Sequence, residues 1–260
     1  MQFTDRVAIV TGAGRGIGLG IAEALCREGA RVVIGELVAE RGEEAAAILR
    51  AQGFLAVAGQ LDVTQPASCR ALVDQVRQDY GRIDVLINNA GLFFLHKSEE
   101  MPEDAWRLQV DVLLNGTFFM TQAVAQIMIA QHRGNIVNIA SIGGMGGWPM
   151  RSAYNAAKAA VINLTETLAG EWAHYGMRVN AVSPGVTRTE MMADLIRRGI
   201  SAAQYDNRTP LGRVAEVSEI ANAVCFLASD RASYITGENL RVDGGWVPWA
   251  NMNAIGFPEP

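Results

Sequence analysis

The sequence predicts an α/β fold, a doubly wound parallel sheet with helices on both faces, and three observations lead there. Short apolar runs alternate along the chain with longer stretches of helical spacing. Several runs, such as Val7-Ala8-Ile9-Val10, are apolar on consecutive positions, as expected of strands covered on both faces. A glycine-rich turn, Thr11-Gly12-Ala13-Gly14-Arg15-Gly16-Ile17-Gly18, joins the first run to the first helical stretch.

The strand pattern falls at residues 7–11, 31–34, 54–58, 84–88, 135–140, 178–182 and 239–242. Between these runs, residues 16–28, 39–51, 67–79, 103–131 and 152–174 carry Ala, Leu, Glu and Arg at helical spacing. Such alternation needs right-handed crossovers, which place parallel strands side by side. No composition shift or low-complexity stretch divides the chain, so residues 1–245 read as one domain. Two segments break the rhythm. Residues 187–213 are helix-like but irregular and have the length of a substrate lid. The tail, 246–260, has two Trp, one Phe and three Pro, and is expected to be neither helical nor disordered.

Half of the 260 residues are hydrophobic and 19% are charged, which fits a folded globular protein. The formal charge of −5 disfavours nucleic acid as a partner, because a phosphate backbone calls for a basic face. Three cysteines without a C-x-x-C or a histidine cluster suggest neither a disulfide framework nor a metal site. The strand pattern begins after six residues, and no apolar run approaches the ~20 residues of a membrane span. A cytoplasmic protein is expected.

The glycine turn is suited to a dinucleotide. Gly12, Gly16 and Gly18 let the backbone turn tightly and approach a pyrophosphate, and the helix behind them opens with free N–H groups, near Arg15 and Ile17. Glu36, at the end of the second strand, can accept hydrogen bonds from the adenosine ribose hydroxyls and repel a 2′-phosphate, which favours NAD. Arg15 leans towards NADP, while Leu37 offers no second positive charge. Asp62-Val63 and Asn88-Asn89-Ala90-Gly91 close the third and fourth strands, where a crevice would hold a flat ring and a ribose. Turn chemistry alone also accounts for them.

Tyr154 and Lys158 stand four apart, so they share a helix face. A phenol near pKa ~10 is a poor base at neutral pH, but a neighbouring ammonium favours the phenolate. Tyr154 then becomes a general acid/base, and Ser141, at the end of the fifth strand, can donate to a carbonyl or alkoxide oxygen.

With these motifs the chain resembles the short-chain dehydrogenase/reductase family over residues 5–245. The resemblance is carried by the glycine turn, Asp62-Val63, Asn88-Asn89-Ala90-Gly91, Ser141, Tyr154-Asn155-Ala156-Ala157-Lys158 and Pro184-Gly185. It continues in Pro210-Leu211-Gly212-Arg213 and Val242-Asp243-Gly244-Gly245. It implies a single-domain Rossmann-like sheet of seven strands and hydride transfer between a nicotinamide cofactor and an alcohol/carbonyl pair. It also implies that Lys158 bonds the nicotinamide ribose, that Asn88 and Ala90 line the adenosine side, and that Thr187 and Thr189 hold the carboxamide and pyrophosphate. Homotetramers or homodimers are implied too, with the tail packing on a neighbouring subunit.

One position departs from the pattern. The family's usual Asn, which supports a water leading from the lysine to solvent, is replaced by Leu113. Asn115 lies two residues on, about 200° round a helix, and is expected to face away unless the helix bulges.

The substrate walls fall on loop residues that include Phe93, Trp148 and Met191. Arg151, three residues before Tyr154, can hold an anionic or polyhydroxylated substrate, or stand as a solvated surface arginine. The expected activity is NAD-dependent oxidation of a secondary alcohol: a sugar, a polyol or a hydroxy acid. The alternatives are an NADPH-dependent carbonyl or 3-oxoacyl-thioester reductase, and a nicotinamide-sensing protein without catalysis.

Overall fold

The computed structural model describes residues 1–197, 199 and 202–249. Its centre is a seven-stranded sheet in the order β3-β2-β1-β4-β5-β6-β7, every neighbouring pair parallel. The strands are β1 (Val7–Thr11), β2 (Arg31–Glu36), β3 (Ala56–Gln60), β4 (Val85–Asn88), β5 (Gly134–Ile139), β6 (Met177–Pro184) and β7 (Asn239–Val242). All seven expected strands are present. β3 starts two residues later than its pattern, and β2 runs on to include Glu36.

Side chains of successive strand residues go to opposite faces, and the core divides accordingly. Ala8 and Val10 join Ile34, Val85 and Ile87 on one face. There they meet α1 (Gly16–Arg27), α2 (Ala39–Ala51) and, across the sheet, α9 (Val217–Ala228) through Ile21, Leu49 and Val224. Val7 and Ile9 join Leu86, Ile136 and Val179 on the other face. That face is covered by α3 (Pro66–Tyr80), α5 (Gly116–Gln131) and α6 (Ser152–Trp172), which bring Val73, Met128 and Leu168. Local chemistry agrees with the boundaries. α3 opens on Pro66 and ends at Gly81 with φ +72°, while Glu216 and Glu219 form a capping box on α9.

The run expected as one helix over 103–131 is interrupted. α4 (Glu103–Val110) passes into a π-helical turn, Asp111–Asn115, before α5 begins. This run also passes, by length and composition alone, as apolar enough to cross a membrane, but half of its most apolar window is buried inside the fold. Packing gives it a place there. A Cβ on Gly116 would lie 2.7 Å from Val63 Cγ2, so the helix is pressed directly onto the loop after β3.

Within the lid segment, Thr187 bridges Ala215, followed by α7 (Glu190–Arg197) and α8 (Ala202–Arg208). After β7 the chain makes a helical turn, Trp246–Trp249, where a non-helical tail is expected. Trp246 is buried within its own chain. Residues 250–260 of the expected subunit-packing tail lie outside the described residues.

Candidate active site

In a doubly wound sheet the crevice opens at the carboxyl ends of the strands where the winding reverses, here between β1 and β4. The glycine turn occupies this place. Gly12 (φ +61°) and Gly16 (φ +58°) adopt left-handed backbone that favours glycine. A Cβ on Gly12 would lie 2.7 Å from Ala90 Cα, and one on Gly18 would collide with Asn89 Nδ2 and the Gly12 carbonyl. No side chain caps the start of α1, so the N–H groups of its first turn, Gly16-Ile17-Gly18, are left for a ligand.

Asn89 fastens this turn. Its Nδ2 donates to the carbonyls of Thr11 (2.9 Å) and Gly12 (3.0 Å). Thr11 Oγ1 accepts from the N–H groups of Asn89 (3.0 Å) and Ala90 (2.9 Å). Asn88, expected on the adenosine side, is instead turned into the core. Its Nδ2 donates to Thr121 Oγ1 (2.7 Å) and Asn138 Oδ1 (2.8 Å). The register of β4 sends consecutive residues to opposite faces, so only one of the two asparagines can meet the turn.

Across the crevice, Pro184 ends β6, and Gly185 presses on Asp243, 2.8 Å from a Cβ position to its Cα. Thr187 is buried and donates to the Gly185 carbonyl at 3.1 Å. Thr189 accepts from the Met192 N–H at 3.3 Å and turns its methyl towards Gly16. Arg15 reaches over this opening to Glu190 of α7 at 3.0 Å. Asp62 Oδ1 accepts from the N–H (2.9 Å) and hydroxyl (2.7 Å) of Thr64, while Val63 is packed under Gly116.

Glu36 is less free than expected. Its buried carboxylate accepts from the N–H groups of Gly14 (3.0 Å) and Leu37 (3.0 Å) and from Arg41 (2.6 Å). Arg41 is a charge the sequence reading missed. Its position in the first turn of α2, which folds back over the end of β2, was the available signal. The uncapped helix start, the glycine cradle and the strand-end carboxylate together fit a dinucleotide such as NAD or NADP.

Ser141, Tyr154 and Lys158 come together at the next strand end. Ser141 follows β5 and accepts from the Gly143 N–H at 3.0 Å, which orients its hydroxyl. Gly144 packs so closely on α6 that a Cβ there would lie 2.6 Å from the Lys158 carbonyl carbon. Lys158 Nζ is 5.9 Å from the centre of the Tyr154 ring and donates to the Ile139 carbonyl at 2.5 Å. Burial pulls the Lys158 pKa down to about 8. Burial also raises the pKa of Tyr154, against the opposing pull of the Ser141 hydroxyl and then the Arg151 charge. The groups that pull it down are Ser141 and Arg151 and not the expected Lys158 ammonium, and burial outweighs them, so the phenol is held protonated.

Leu113 is buried, with its Cδ2 3.3 Å from the Cβ position of Gly91. Its carbonyl accepts from the Thr117 hydroxyl at 2.9 Å. Despite the π-turn, Asn115 faces outward. Its Nδ2 donates to Asp111 (2.8 Å), and it lines a 420 Å³ hollow with Trp106 and Arg107. None of Ser141, Tyr154 and Lys158 lines this hollow.

The mouth of the site is aromatic and cationic. Phe93 meets Tyr154 edge-on at 5.0 Å between ring centres. The Arg151 guanidinium lies 4.5 Å from the centre of the Trp148 ring and 5.3 Å from that of Phe93. Trp148 stacks on Trp246 at 5.1 Å, and Arg208 of α8 lies 4.6 Å from the Trp246 ring centre. Trp246 and Arg208 are contacts the sequence reading did not name. Of Met191 and Met192 in the lid segment, Met191 is 46% exposed and Met192 is buried. Met192 lines a 160 Å³ hollow under the lid with Thr189 and Val214.

Comparison with known proteins agrees with this arrangement. A family model described as enoyl-(acyl carrier protein) reductase matches residues 12–247. The 3-oxoacyl-(acyl-carrier-protein) reductase FabG of Escherichia coli is 39% identical over 251 residues, covering 94% of this chain and 98% of that protein. The cis-4-hydroxycyclohexanecarboxylate dehydrogenase of Sinomonas cyclohexanicum is 42% identical over 252 residues, with coverage of 94% and 98%. A gluconate 5-dehydrogenase from Burkholderia cenocepacia, solved in complex with NADP and tartrate, superposes with a TM-score of 0.91. It is 36% identical, with coverage of 95% and 97%. Glycine turn, parallel sheet, Ser/Tyr/Lys set and relatives converge: this chain belongs to the short-chain dehydrogenase/reductase family of oxidoreductases.

Proposed function

We propose that this protein is a cytoplasmic, NAD-dependent dehydrogenase that oxidises a secondary alcohol on a small hydroxy acid. The observation that carries the substrate class is Arg151. Its guanidinium rests against Trp148 and Phe93 beside the Tyr154 ring, and its Nε is buried without a hydrogen-bond partner. A carboxylate is the natural acceptor for such a group. Two of the similar proteins have carboxylates in their names or crystals, hydroxycyclohexanecarboxylate and tartrate. Glu36 supports NAD through the ribose hydroxyls.

When bound, the nicotinamide supplies the acceptor for the hydride that leaves the carbinol carbon. The chain's own groups handle the proton. Ser141 holds the substrate oxygen by a hydrogen bond, and Tyr154, deprotonated at alkaline pH, removes the hydroxyl proton. Lys158 places a positive charge behind the phenol. In the reverse direction the protonated phenol is already the form needed to donate. That state, together with the relation to FabG, supports a second reading as a ketone or 3-oxoacyl-thioester reductase.

A panel of alcohols with and without a carboxylate, assayed with NAD at alkaline pH, tests the reading. Oxidation of a hydroxy acid is expected, with a loss of about 10²–10⁴-fold in kcat for Tyr154→Phe. Turnover of only uncharged alcohols or acyl thioesters refutes the hydroxy-acid assignment. Association into a homotetramer or homodimer, with the tail on a neighbouring subunit, belongs to the same proposal. Sedimentation of the intact chain and of a chain ending at 249 tests it.

A further inference from the structure

Two arginines share one pair of indole rings at the mouth of the site. Trp148 and Trp246 stack with their ring centres 5.1 Å apart and their planes 25° from parallel. The Arg151 guanidinium lies 4.5 Å from the centre of the Trp148 ring. That of Arg208 lies 5.8 Å from the same centre and 4.6 Å from the centre of the Trp246 ring. The two charges therefore stand no further apart than their two distances to Trp148 laid end to end. Aromatic faces attract a cation and stack with a flat guanidinium, so the indoles hold both groups in place.

These charges are not neutralised by the chain. Among the described residues, the ion pairs include neither Arg151 nor Arg208. Arg151 donates from Nη2 to the Tyr205 hydroxyl at 3.4 Å, a long bond for a guanidinium, and its Nε is buried without a partner. Two like charges this close repel each other, and a ligand with two negative charges removes that repulsion. The groups also come from different elements. Arg151 stands just before α6, which carries Tyr154, whereas Arg208 is the last residue of α8 in the lid segment. Tyr205 and Arg208, three apart, share a face of α8, and the Tyr205 ring lies 6.2 Å from that of Trp246. Contacts run from Tyr154 through Phe93, Arg151 and Trp148 to Arg208.

We propose that Arg151 and Arg208 form a double clamp for a dicarboxylate, so that the substrate is a hydroxy acid with a second carboxylate. Arg151 holds the carboxylate nearer the carbinol, and Arg208 holds the farther one. One guanidinium matches one planar carboxylate through paired N–H donors, so two guanidinium groups call for two carboxylates. Arg208 is then a specificity residue carried by the lid. This rests on the hydroxy-acid reading above and adds a second acidic group to it.

The test is calorimetric titration of the intact chain, in the presence of NAD, with dicarboxylates and their monocarboxylate counterparts that lack a hydroxyl: succinate against butyrate, and adipate against hexanoate. In the wild type, at least one dicarboxylate is expected to bind about tenfold or more tightly than its counterpart. In Arg208→Gln and Arg208→Met, each checked by thermal melting, that preference is expected to fall below about threefold. No dicarboxylate preference in the wild type, or a preference kept in both Arg208 variants, overturns the double clamp and leaves the hydroxy-acid reading intact. Binding of no carboxylate at all overturns both.

Discussion

Arg151 lies with its guanidinium carbon 4.5 Å from the centre of the Trp148 ring, and its buried, unpaired Nε–H stands close to Tyr154. The same charge pulls the Tyr154 pKa down, against the stronger upward push of burial. In the proposed reaction, substrate recognition and proton transfer would therefore be coupled through one side chain.

Arg151→Gln separates the two. Removing the cation raises the Tyr154 pKa further, so less phenolate is present at a given pH. The alkaline rise of kcat for alcohol oxidation is expected to move to higher pH. KM for a hydroxy acid is expected to rise by about tenfold or more, with little change for an uncharged alcohol. A pH–rate profile that stays in place shows that Arg151 does not act on Tyr154.

Lys158 makes a stability prediction. Its folded pKa, about 8, lies below the ordinary 10.5. Between these values the unfolded chain binds the extra proton, so this residue's contribution to stability rises with pH through the window. Below about pH 8 its full penalty is present. Lys158→Met removes the penalty, which corresponds to about 3 kcal/mol. The variant's advantage in unfolding free energy, measured by urea denaturation without cofactor, is expected to shrink as pH rises from about 8 to 10.5. A difference independent of pH contradicts the buried, charged amine.

Gly144 sets the distance between the Ser141 turn and the Tyr154 helix. In Gly144→Ala, the new methyl meets the backbone of Lys158 and Ala159, which cannot swing aside. A loss of about 1–3 kcal/mol is expected, together with a lower kcat as Ser141 is lifted from the phenol. Thermal melting and steady-state kinetics read the two effects. An unaltered kcat shows that the turn is not held by this contact.

Asn115 tests the π-turn. It bonds Asp111 on the outer face, away from Lys158. Asn115→Ala is expected to change kcat by less than about twofold, because the half-buried side chain bonds Asp111 and not Ser141, Tyr154 or Lys158. A collapse of kcat in a folded variant shows instead that Asn115 serves the reaction centre.

The sheet was legible because strands covered on both faces leave consecutive apolar residues, and the glycine turn marks where the crevice must open. The Ser141, Tyr154 and Lys158 cluster was legible because a strand end and a four-residue helix spacing fix their positions. Other features depend on contacts distant in sequence. Helical periodicity over 103–131 contains no sign of the π-turn, which sits where Gly116 meets Val63. Adjacent Asn88 and Asn89 look alike in sequence, yet strand register sends one to the core and the other to the turn. Likewise, Arg41 reaches Glu36 only because α2 folds back over β2, and Trp246 finds Trp148 nearly a hundred positions away in sequence.

That last stack has a practical side. Trp246 stands in the turn that follows β7 and backs the ring that carries Arg151. An affinity tag or reporter inserted at this turn would break the stack and disturb kinetic comparisons. Met1 is 89% exposed and leads into the opposite, amino end of β1, which makes it the better attachment point.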